Sequence, residues 1–158
     1  MGLKDHELFQ DDIPTSGLGA WHANLIYINR RKCVLFTNDK TLLNFIAPDV
    51  NREEIRSLDR LFIGYLRPIL AEEGISAEEC EEIAREYSEL RYAKTTDKSI
   101  LGSMNELAFH YKHRIMDAGG LHKPEIPGII HSLNNMPMGA LEFVFPSEAL
   151  RQHLRSEA

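Results

Sequence analysis

Apolar and polar positions alternate with a period of two from Trp21 to Ile28, as in a strand whose two faces meet different surroundings. Trp21, Ala23, Leu25 and Tyr27 share one face; His22, Asn24, Ile26 and Ile28 share the other. A second β-branched and aromatic run, Lys32 to Asn38, follows Asn29-Arg30-Arg31, so the two read as a hairpin. Within it, Cys33-Val34-Leu35-Phe36 is apolar on both faces, which predicts a central strand with cover on both sides. Asn38-Asp39-Lys40 is a further turn into Thr41 to Ile46, and Pro48 ends a three-strand meander. One face of it is core. The other is partly covered, with a polar end near His22 and Asn24.

Downstream the apolar period becomes helical. Asn51 and Glu54 have the spacing of a capping box, ahead of Ile55, Leu58, Phe62, Leu66 and Ile69. Pro68 is expected to kink that helix or end its regular part, and Gly74 to stop it. Ser76 and Glu79 repeat the capping signal, with Cys80, Ile83, Ala84, Tyr87 and Leu90 as the inner stripe. A third helix starts near Asp97 or Ser99 and ends at Gly119-Gly120. A short helix over Pro127 to Leu133, a last strand over Ala140 to Phe145 and a C-terminal helix from Pro146-Ser147 complete the chain. The expected class is α+β: an antiparallel sheet of three N-terminal strands plus one late strand, packed against about four helices. It forms a single domain over 1–158, with 1–19 as an arm or edge element.

Composition adds boundaries to this picture. The 158 residues are enough to bury a core without a disulfide or metal staple. With 43% hydrophobic and 27% charged residues, the chain is not of disordered type. No apolar run approaches a membrane span, and the polar N-terminus has no signal-peptide core, so a cytoplasmic location is expected. Cys33 and Cys80 lie far apart inside apolar patterns and read as buried free thiols. The net charge of −6 is uneven: eight glutamates and one arginine fall between Ala71 and Leu90. An acidic helix over 76–90 is therefore a solvated face or a protein-docking surface, and the remainder does not exclude an anionic ligand.

Candidate chemistry gathers in two places. Lys94, Lys98, Ser99, Ser103 and Asn105 surround the start of the third helix, where free N–H groups and the helix dipole favour anions. Gly102 there costs a helix roughly 1 kcal/mol, so it either packs against a strand or admits a ligand. The P-loop spacing is absent. The second place is the polar punctuation of the meander: Trp21, His22, Asn24, Arg30, Arg31, Lys32, Asn38, Asp39 and Lys40. Bases at a hairpin tip would grip phosphate, and a tryptophan would stack a base, unless it is core. His110, His113 and His122 could hold a metal, but no carboxylate or cysteine falls at a recognised ligand spacing beside them, so no metal and no cofactor are expected.

Trp21-His22-Ala23-Asn24-Leu25, Arg30-Arg31-Lys32, Asn38-Asp39-Lys40-Thr41-Leu42 and Lys98-Ser99-Ile100-Leu101-Gly102-Ser103-Met104-Asn105-Glu106 also carry a family resemblance. They resemble the motifs of a family of small bacterial proteins of unknown function, over about residues 18–145. Lys98 stands where that pattern usually has arginine, which keeps the charge but not a bidentate fork. The resemblance implies a bacterial, cytoplasmic protein and no particular reaction. Three functions follow as expectations. The first is a non-enzymatic binding module for an anionic ligand, nucleic acid or nucleotide, using the residues just named. The second is a small enzyme built on His22, Asn24, Asp39, Ser103 and Asn105. The third is a protein-interaction module of a defence or toxin–antitoxin type, docking through the acidic helix.

Overall fold

The computed structural model describes residues 7–10, 18–87, 91–94, 98–121, 125–142 and 144–156. The predicted hairpin is present as β2 (Trp21–Ile28) and β3 (Arg31–Asn38). Only two residues join them, Asn29 and Arg30, both at positive φ (51° and 65°) as a type I′ turn requires. The meander continues into β4 (Asn44–Ala47), shorter than expected because the second turn extends through Thr41. Asn38 builds that turn. Its Oδ1 accepts from the N–H groups of Lys40 (3.1 Å) and Thr41 (2.9 Å) and from the Thr41 hydroxyl (2.9 Å), while Nδ2 donates to the Leu18 carbonyl (2.8 Å).

Two further strands complete an all-antiparallel sheet, β1 (Glu7–Gln10) and β5 (Arg91–Lys94), in the order β4-β3-β2-β1-β5. The N-terminal segment is thus neither a loose arm nor an edge where it is described: β1 lies between β2 and β5. The late strand is corrected as well. Gly139–Leu141 form a 3-10 turn, Glu142 adopts a left-handed φ of 54°, and among the described residues the run keeps a single Met138–Val144 bridge. A left-handed residue in mid-run turns the chain back within five residues, so the apolar pattern there packs as a loop.

The helices are α1 (Arg52–Arg56), α2 (Leu58–Glu72), α3 (Ala77–Glu86), α4 (Lys98–Asp117), α5 (Ile126–Asn134) and α6 (Pro146–Ser156). Both capping signals are real. Asn51 and Glu54 bond reciprocally at 2.8 and 3.0 Å, and Ser76 accepts from Glu79 N–H at 3.2 Å. The single helix expected over 51–74 is split at Ser57, and α2 continues through Pro68 to Glu72.

Helices cover both sheet faces. On the Trp21 face, Phe62 of α2 packs its ring 5.1 Å from Trp21, 5.4 Å from Phe36 and 5.3 Å from Tyr87. On the His22 face, Tyr111 of α4 and Asn134 of α5 both bond to Asn44 of β4. The buried residues of both layers join one hydrophobic cluster. No helix among the described residues is long and apolar enough to cross a membrane.

Candidate functional site

The sheet register decides which of the expected residues can meet. Ile28 opposes Arg31 and Trp21 opposes Asn38, so Arg30, Arg31 and Lys32 lie at one end of the meander and Asn38, Asp39 and Lys40 at the other. Seven residue steps separate them, roughly 23 Å of strand. Arg31 faces Asp49 at 3.8 Å. Trp21 is core: it is fully buried and its indole N–H donates to the Tyr87 hydroxyl at 3.2 Å, which removes it as a surface for stacking bases. Asn38 is also buried, with its amide committed to the turn. The start of α4 divides in the same way. Ser103 is buried, whereas Lys98, Ser99 and Asn105 are exposed. The side chain of Lys94 and all of His122 lie outside the described residues. Among the described residues, the two polar ends of the meander therefore lie apart, and Trp21 and Asn38 are taken up by the core.

The structure does assemble a polar row on the His22 face. His22, Thr37 and Asn44 are register partners across β2, β3 and β4, and all three are buried. Asn24 is buried on the same face. At one end of the row, His22 Nε2 donates to Asp39 Oδ1 at 2.8 Å; the imidazole is 3% exposed and the carboxylate 42%. That hydrogen bond holds the Asp39 carboxyl below its ordinary range, against the opposing effect of its partial burial. At the other end, the Tyr111 hydroxyl donates to Asn44 Oδ1 at 2.6 Å, and burial pushes this phenol well above its usual range, so it stays a neutral donor. Between them the Thr37 hydroxyl has no partner among the described residues. Beside Asp39, Lys40 and Thr41 help line an open cavity of about 350 Å³ with His153 of α6.

A basic concavity lies elsewhere, between α2 and α3. Arg60, Arg67 and Arg85 line a cleft of about 430 Å³ together with Asp59, Ile63, Gly64, Ala84 and Tyr87. Arg67 pairs with Glu81 at 3.3 Å. Neither Arg60 nor Arg85 has an acidic partner among the described residues. Gly64 is exposed between the two α2 arginines, and a Cβ built there would meet nothing within 4 Å. The sequence holds a signal for this site that the motif reading missed. Positions 60, 64 and 67 are spaced i, i+4, i+7, one face of a helix, and Arg85 is the lone base in the acidic stretch.

A third cavity, about 350 Å³ and mainly apolar, lies between α2 and α5 and is lined by Tyr65, Pro68, Ile69 and Ile130, with Glu72 among the lining residues. Among the described residues, no three His, Cys, Asp or Glu side chains gather as a metal would require.

A five-stranded antiparallel sheet between two helical layers defines an α+β protein. The chain belongs to the family described as a domain of unknown function, DUF6933, which matches residues 1–149. No curated protein and no solved structure matches it.

Proposed function

We propose that this chain is a non-enzymatic binding module for an anionic, phosphate-bearing ligand of nucleotide size, held in the cleft between α2 and α3. One observation carries the reading: three arginines line a single cleft, and two of them have no acidic partner among the described residues. Guanidinium is the side chain best matched to phosphate, because its planar donor fork makes paired, charge-assisted hydrogen bonds. A volume of about 430 Å³ suits a small ligand better than a length of nucleic acid. Gly64 leaves the floor open between Arg60 and Arg67, so a ligand can lie against the α2 backbone. The Tyr87 hydroxyl at the rear donates to the Gly19 carbonyl, so it is committed within the chain.

Titration calorimetry with nucleoside mono-, di- and triphosphates and pyrophosphate, at low and moderate salt, tests the proposal. Arg60→Ala and Arg85→Ala should each weaken binding about tenfold, the value of one charge-assisted hydrogen bond. Gly64→Trp should abolish binding while the circular dichroism spectrum is retained. Affinity should fall steeply with salt. If no member of the panel binds at low salt, the proposal is wrong.

A further inference from the structure

The outer face of α4 carries a pattern that neither the fold nor the cleft uses. Gly102, Phe109 and Met116 are seven residues apart and all exposed, so they form one stripe along the helix. Phe109 is 65% exposed and Met116 50%, the former held in place by its ring stacked on His113 at 6.1 Å and 7°. Gly102 is an open notch in the same stripe: a Cβ there would meet nothing within 4 Å, so packing within the chain does not require the glycine.

We infer that the chain docks with a second copy of itself through this face, in an antiparallel pair whose two-fold axis passes beside Phe109. The sequence of the stripe is self-complementary in that arrangement alone. Gly102 and Met116 each lie about 10.5 Å of helix rise from Phe109, on opposite sides. An antiparallel copy therefore drops each Met116 into the partner's Gly102 notch while the two Phe109 rings meet at the centre. The flanks match as well. Glu106 comes beside His113 of the other helix, and Lys112 beside Asn105, so each carboxylate meets a donor and the lysines stay apart. Among the described residues of one chain, Glu106 reaches His110 at 4.0 Å, His113 reaches Asp117 at 3.4 Å, and Lys112 has no ion-pair partner. A parallel copy would set notch against notch and Met116 against Met116, with His113 beside Lys112 of the partner. The two-fold pairing is isologous and closes on itself, so it ends at a dimer. The surface lies on the opposite helical layer from the arginine cleft, and the two readings stand or fall separately.

Sedimentation equilibrium of the full chain tests this. The unsubstituted protein should run at twice its 18.1 kDa mass at tens of micromolar. Phe109→Glu and Gly102→Trp should each give a monomer with an unchanged circular dichroism spectrum. Glu106→Lys and His113→Glu should each weaken the dimer about tenfold, and the double variant should restore it to within about threefold of the original. A monomer at 100 µM overturns the inference, as does a dimer indifferent to Phe109→Glu. A dimer that Phe109→Glu breaks but the paired charge exchange does not rescue overturns the antiparallel register.

Discussion

Asn134 closes the open edge of β4 by bonding both backbone groups of Asn44, ninety positions away. Its Oδ1 accepts from the Asn44 N–H at 2.9 Å, and its Nδ2 donates to the Asn44 carbonyl at 2.7 Å. One side-chain amide thus takes the place of a neighbouring strand and ties α5 to the sheet. Removing it leaves a buried donor and a buried acceptor unpaired. Asn134→Ala should destabilise the protein by about 2–4 kcal/mol. Asn134→Asp, which keeps the acceptor and loses the donor, should also destabilise at neutral pH. Urea unfolding of both variants checks this, and a change below ~1 kcal/mol for alanine would show that the edge does not depend on the amide.

Thr37 offers the opposite case. Its hydroxyl is buried between His22 and Asn44 without a partner among the described residues, so it carries a desolvation cost with no hydrogen bond in return. Valine has nearly the same shape. Thr37→Val should stabilise the fold by about 1 kcal/mol, read as a higher urea midpoint at unchanged slope. A loss of stability would mean that the hydroxyl is bonded in solution, by water or by a ligand.

What was legible in the sequence is what local chemistry determines. The Trp21–Asn38 hairpin and the caps at Asn51 and Ser76 depend on residues within a few positions of one another, and they are present. Polarity alone was less informative. Asn38, Asn24 and Ser103 are polar and were candidates for a ligand, yet they are buried, and the Asn38 amide is consumed by Leu18, Lys40 and Thr41. β1 and β5 were missed because four-residue strands have too few alternations to register, and their pairing is with distant partners. The late apolar run misled because Glu142 turns left-handed, which no periodicity reveals. The arginine cleft needed two helices to be brought together, so only its α2 half was visible in the spacing of Arg60, Gly64 and Arg67.

The His22–Asp39 pair makes stability depend on acid. The Asp39 pKa is lowered in the folded protein from an ordinary 3.8, chiefly by the hydrogen bond from His22. A carboxyl with a depressed folded pKa contributes stability above its unfolded value and loses that contribution as pH falls through the folded one. Unfolding free energy should therefore decline from about pH 4 downward, and Asp39→Asn should flatten this limb. Urea titrations between pH 2 and 5 would show it. Parallel curves for the two proteins would mean that the pair is not coupled to folding.

Gly64 tests whether the arginine cleft has shaped the chain. It lies inside α2, where glycine costs about 0.5–1 kcal/mol relative to alanine, and no neighbour within 4 Å of a Cβ requires its absence. Gly64→Ala should thus raise stability by about that amount, with a melting temperature higher by about 1–4 °C for a domain of this size. The added methyl would project between Arg60 and Arg67, on the surface where the proposed ligand rests. Nucleotide affinity should fall in the same variant. The two readouts separate a glycine kept open for a ligand from one that is merely tolerated. A more stable protein that binds less well supports the cleft as the functional site. A more stable protein with unchanged binding moves the ligand off the floor of the cleft and onto the exposed guanidiniums at its rim.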